Sequence, residues 1–159
     1  MTTHLHTISV LVENKFGVLA RVAGMISGRG FNIDSLNVAP TQDSELSRIT
    51  LVLKGDAQAL ELCMKQLRKL INVVDVSDIK ETHSIARELV LLKVKTNSKI
   101  HAALVAQTET CHAKIIHETS DAVIIEATVE LSKASSLIAT FEAFGILEIA
   151  RTGQLALKR

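Results

Sequence analysis

The sequence predicts an α+β fold made of two β-α-β-β-α-β units in tandem. Three observations predict it. Over residues 5–80 the apolar spacing switches between period two and period 3.6 in that order. A similar order of strands and helices starts again near residue 88. The 159 residues are 47% apolar, enough for two small cores.

The first strand is LHTISVLVE, residues 5–13, in which Ile8, Val10 and Val12 alternate. Leu11 makes the other face apolar as well, as in a central strand. The turn Asn14-Lys15-Phe16-Gly17 opens a helix from about Gly17 to Arg29, with Val18, Leu19, Val22, Met25 and Ile26 on one stripe. Gly30 stands where a left-handed C-terminal cap is expected. In the second strand the phase slips: Phe31 and Ile33 share one parity, Leu36 and Val38 the other. A bulge or bend near Asp34-Ser35 is needed to keep both halves on one face. Pro40 ends that strand. The third strand is LSRITLVLK, residues 46–54. Asp56 then caps a helix whose stripe is Ala57, Leu60, Cys63, Met64, Leu67, Leu70 and Ile71. A fourth strand runs over 73–79. This element order is the ferredoxin-like plan of four antiparallel strands with two helices on one face.

Residues 81–87, ETHSIAR, read as a short polar linker. Beyond it lie a strand at 88–95, a helix from Asn97 to about Thr110 (Ile100, Ala103, Leu104 and Gln107 in line), strands at 114–118 and 122–130, a helix after Ser132 and a strand at 146–150. In the last helix Leu137, Ile138, Phe141 and Phe144 face inward and Gly145 is the stop. The expected domains are therefore 4–80 and 88–159.

Composition narrows the function. The net charge of +1 gives no pull toward nucleic acid or anionic membrane. With no Trp, no Tyr and four Phe, a base-stacking module lacks platforms. Cys63 and Cys111 lack C-x-x-C spacing, against a disulfide framework or a Cys-based zinc site. No apolar run approaches the roughly 20 residues of a membrane span. The N-terminus MTTHLHTISV lacks the basic-then-apolar plan of a signal peptide, so a cytoplasmic protein is expected.

No catalytic or phosphate-cradling motif is present. His4 and His6 share a strand face, but a metal needs three or four ligands. Cys63 fits the apolar stripe of its helix. The turn at 14–17 is different. A helix start leaves its first N–H groups unpaired and carries roughly half a positive charge, so a carboxylate can dock there. Gly17 permits close backbone approach. Asn14 and Asn32 each offer a donor and an acceptor. Val18, Leu19 and Ile33 offer apolar walls. A free amino acid needs that combination. Asn-x-x-Gly before a helix is equally an ordinary N-terminal turn, and the residues alone leave both readings open.

The stretch ENKFGVLARV…RGFNIDSLNVAPT…LSRITLV resembles the regulatory small subunit of acetolactate synthase and, more broadly, the ACT domain, a ferredoxin-like module that binds amino acids. KQLRKLINVVDVSDI, ARELVLLKV and ARTG extend the resemblance over most of the chain. It implies a non-catalytic subunit that binds valine or another branched-chain amino acid, inhibits a separate catalytic large subunit in response and also activates it. The large subunit would carry thiamine diphosphate, a divalent metal and usually flavin; this chain would carry no cofactor and no metal. ACT domains would pair in a homodimer with the effector between the turn of one chain and the second strand of its neighbour. Matched to this sequence, the effector residues are Asn14, Lys15, Gly17, Val18 and Leu19 on the turn and Asn32 and Ile33 on the strand. Phe16 departs from the family, which commonly has Pro or a small residue there. In the second half His112, His117 and Val129 stand for an expected Arg, Asp and Gly.

Three other readings are weighed. A free-standing amino-acid sensor could regulate another enzyme. An acylphosphatase-like hydrolase would need a phosphate-binding loop, whereas Arg21 and Arg29 fall on a helix. An RNA-binding module would need aromatics on the first and third strands, which have none.

Overall fold

The computed structural model describes residues 4–159, with side-chain environments for all of these except Glu81 and Leu131. Described residues up to Ala86, together with Gln154–Arg159, form one compact unit, and Arg87–Gly153 form a second.

The first unit runs β1 (His4–Glu13), α1 (Val18–Ser27), β2 (Asn32–Pro40), β3 (Leu46–Gly55), α2 (Ala57–Leu67) and β4 (Val73–Ile79). Its antiparallel sheet has the order β2-β3-β1-β4. β1, the strand readable on both faces, is central, β3 lies beside it, and β2 is an edge. Ile8, Val10 and Val12 of β1 and Ile49, Leu51 and Leu53 of β3 are buried with Val18, Val22 and Ile26 of α1 and Leu60, Cys63, Met64 and Leu67 of α2. Asp56 caps α2 as expected, its Oδ1 accepting from Ala59 N–H at 2.7 Å. The pairing of β2 with β3 shifts register between Ile33 and Ser35. This bulge sets Ile33, Leu36 and Val38 opposite Leu53, Leu51 and Ile49, so both halves of β2 face the core.

Two positions leave the expected stripe of α2. Ala57 is exposed, and Ile71 is 89% exposed. The helix ends at Leu67, so the 3.6-residue phase no longer applies to Ile71. Residues 81–87 are not a free connection: a 3-10 turn, Glu81–His83, leads straight into β5 (Ser84–Lys95). Polar residues at inward strand positions hide this start, since both Ser84 and Glu88 are buried.

The second unit continues with most of β5, then α3 (His101–Thr110), β6 (Lys114–Glu118), β7 (Ala122–Val129), α4 (Leu131–Glu142) and β8 (Ile146–Arg151), in the sheet order β6-β7-β5-β8. Its core is Val90, Leu92 and Val94, Val123, Ile125 and Ala127, Leu104, Leu137 and Phe141. Ile138 and Phe144 pack against it, and Gly145 stops α4 with φ 87°. α3 starts later than its periodicity suggests, because the Asn97 carboxamide accepts from Lys99 and Ile100 N–H and holds a turn there. Ala103 is exposed, and Thr108 rather than Gln107 completes the buried face. His112 follows α3 with φ 53°. Its N–H donates to Glu109 O, and Ala113 N–H to Thr108 O, the paired bonds of a Schellman cap in a position that glycine usually fills.

A ninth strand, β9 (Leu155–Lys158), lies outside the sequence-based expectation; four alternating residues are too short a signal. By its contacts it groups with the first unit. There Thr7 Oγ1 donates to Gln154 Oε1 at 3.2 Å and Arg159 N–H to His83 O at 3.0 Å.

Candidate functional site

The end of β1 is pinned before the chain turns. Glu13 N–H donates to Asn72 O, and Asn14 N–H to Glu45 O. The Asn14 carboxamide donates to Ser44 O at 2.9 Å. Asn72 bridges two charged groups: its Nδ2 donates to Glu13 Oε2, and its Oδ1 accepts from Arg21 Nη1. Lys15 Nζ lies 3.2 Å from Glu13 Oε1. The hydrogen bond from Asn72, then that from Lys15, holds the Glu13 carboxyl below its usual range. Glu13, Arg21 and Asn72 were not among the effector residues expected from the sequence. Asn72 lies 59 residues from Glu13, and no local pattern signals such a pairing.

Gly17 begins α1 in the left-handed region, φ 77°, and makes no side-chain cap. A Cβ built there meets nothing within 4 Å. Val18 N–H makes a long 3.4 Å bond to Lys15 O, Arg21 N–H bonds Gly17 O, and the N–H groups of Gly17, Leu19 and Ala20 have no acceptor among the described residues. The turn is therefore an open donor cluster at the positive end of a helix. Phe16, fully exposed, stands beside it, and Leu19 is 38% exposed.

Val18 does not line this opening. It is 4% exposed and belongs to the core with Val22 and Ile26. Ile33 is half-buried and packs on the same core, while Asn32 is exposed. The structure does not bring turn and strand together within one chain. Glu13 is level with Leu46 of β3, whereas Asn32 is level with Lys54. Eight residues of β3 separate these levels, roughly 26 Å at about 3.3 Å per residue.

Among the described residues no group of three or more His, Cys, Asp or Glu converges as a metal site. Burial pushes the Cys63 thiol up, against the opposing charge of Arg29, so it is a core residue rather than a reactive one. Among the described residues, no helix is long and apolar enough to cross a membrane.

Comparison with known proteins gives the family. Residues 8–75 match the family described as AHAS small subunit-like ACT domain, and residues 87–159 match the family described as small subunit of acetolactate synthase. A probable acetolactate synthase small subunit of Archaeoglobus fulgidus is 46% identical over 97% of this chain and 96% of its own length. The chain belongs to the acetolactate synthase small-subunit family. The acetolactate synthase small subunit of Mycobacterium bovis is 41% identical over 100% of this chain and 95% of its own. The crystal structure of the Thermotoga maritima small subunit superposes with a TM-score of 0.91 at 35% identity, covering 98% of each chain. The α+β architecture and the N-terminal ACT domain are those of this family, as is a regulatory place in branched-chain amino acid biosynthesis.

Proposed function

We propose that this regulatory subunit senses a branched-chain amino acid, valine or a relative, at a site completed by a second copy of the chain. The ACT domain, 4–80, would do the sensing, and the C-terminal part, 88–159, would belong to the coupling with the large subunit.

One observation carries the reading: the level of Asn32 is about 26 Å from that of the Asn14–Gly17 turn, so one chain holds two half-sites. β2 is an edge strand with unpaired backbone groups. Antiparallel pairing of two β2 edges reverses one copy relative to the other. The Asn32 end of each copy then comes to the end of the sheet where its neighbour's turn lies, giving two equivalent sites about a twofold axis. In each, the open N–H groups of Leu19 and Ala20 receive the carboxylate, and Asn14 and Asn32 supply acceptors for the ammonium. Lys15, neutralised by Glu13, bounds the site, and Leu19, Ile33 and Phe16 face the side chain. Val18 holds the helix start from beneath.

The chain itself would do no chemistry and hold no cofactor. Thiamine diphosphate, divalent metal and flavin would sit on the catalytic large subunit, which this subunit activates and, when liganded, inhibits. Linkage requires the large subunit to bind the liganded and free dimers unequally. The test is size exclusion with the cognate large subunit, with and without valine, together with calorimetry of valine against the isolated chain. A valine-dependent change in association is expected. Absence of any complex overturns the regulatory reading, and heat with a monomeric chain overturns the shared site.

A further inference from the structure

At the opposite end of β1 from the turn lies a groove of about 630 Å³, roofed by α2 and floored by β1 and β4. Its volume falls in the range of small-molecule sites. The alternation that points Ile8 and Val10 at the helices also points His6 under α2. The His6 Nε2 atom is buried there and, among the described residues, has no hydrogen-bond partner. A buried polar atom calls for a hydrogen-bond partner, and a polar ligand in the groove can supply one. Asp78 and Lys80 also line the groove, and among the described residues neither forms an ion pair. Arg68 reaches it from α2 while one of its five N–H groups bonds Val76 O. The apolar walls are Leu60 and Met64 of the roof and Ile79 of the floor.

We infer that this groove is a second small-molecule site, complete within one chain, for a zwitterionic amino acid with an apolar side chain. Arg68 and Lys80 supply charge and donors for a carboxylate. Asp78 accepts from an ammonium, and His6 Nε2 supplies a further hydrogen bond. Leu60, Met64 and Ile79 take an aliphatic side chain. Glu61 also lines the groove but is paired with Lys65 at 2.8 Å, which leaves Asp78, Arg68 and Lys80 to a ligand. A lone anion would leave Asp78 facing like charge, and a lone cation would leave Arg68 and Lys80 in the same position; opposite charges on one ligand satisfy both. The site shares no residue with the turn and does not depend on the reading of that turn.

The test is an amide and imidazole NMR titration of the full-length chain with valine and leucine, against isobutyrate and isobutylamine, which each lack one charge. At least one of the amino acids is expected to shift His6, Met64, Asp78 and Lys80 saturably. The single-charge analogues should bind at least about tenfold more weakly. Asp78→Asn and Lys80→Gln, both at the groove rim, should each weaken these shifts about tenfold while leaving those of Leu19 and Ala20 unchanged. Gly17→Asp should do the reverse, which separates failure of this site from failure of the turn. If neither amino acid moves the groove resonances, or isobutyrate moves them as well as valine does, the inference is overturned.

Discussion

Replacing Gly17 by aspartate separates backbone strain from charge at the proposed effector turn. At φ 77° any L-residue is strained, by about 1–2 kcal/mol, and both alanine and aspartate incur that cost. Sterics add little, since a Cβ at this position meets nothing within 4 Å. The difference between Gly17→Ala and Gly17→Asp therefore isolates one negative charge beside the open N–H groups. Placed about 4.5 Å from a docked carboxylate, at an effective dielectric of roughly 20–40, it opposes binding by about 2–4 kcal/mol. That is roughly a 30- to 700-fold loss of affinity. Calorimetry with valine measures the difference directly, and the assay of the assembled enzyme should show valine inhibition lost with activation retained. Equal affinity in the two variants would refute docking of a carboxylate at this turn.

Asn32→Ala should weaken valine about tenfold without unfolding the chain, because Asn32 is exposed and its removal leaves the core intact; calorimetry and thermal melting check the two halves. Asn72→Ala removes the main hydrogen bond to Glu13 and should raise that carboxyl toward the ordinary range, as followed by carboxyl NMR. Because the folded value is depressed, the associated stability is present above the unfolded pKa and is lost as pH falls through the folded one; the variant should lose less on acidification. His112→Gly should stabilise by about 0.5–1 kcal/mol in denaturant melts, since φ 53° suits glycine. Arg151→Leu should cost about 2–4 kcal/mol and Glu88→Gln less: the first strands a buried carboxylate that accepts two bonds from Arg151, while the second leaves a half-exposed guanidinium. Equal losses would show that burial of Glu88 is not what sets the cost.

Much of the fold could be read from local pattern. The phase slip in β2 required a bulge, and the register shift after Ile33 supplies it. Asp56 announced the start of α2, Gly30 takes the left-handed geometry expected after its helix, and Gly145, the expected stop, is left-handed as well. Elements were misplaced where burial and polarity disagree. Ser84 and Glu88 are polar yet inward, so β5 reads as starting late. Ala57 and Ile71 are apolar yet exposed, because helix phase ends with the helix. β9 has too few residues to show a period.

The turn at Asn14–Gly17 was legible because its signals lie within four residues and depend only on backbone chemistry. Its setting was not. Asn72 joins Glu13 and Arg21 across 59 and 51 residues, a contact made by strand pairing rather than by any local motif. Val18, one residue from Leu19, turns to the core while Leu19 faces out, which helix phase decides only once the packed face is known. By itself the sequence determined the order of elements, the central place of the first strand, the bulge and the open helix start, all of which follow from periodicity and backbone freedom. Only the tertiary structure set Asn14 and Asn32 at opposite ends of one sheet, because that separation comes from strand register, a relation between residues far apart in the chain.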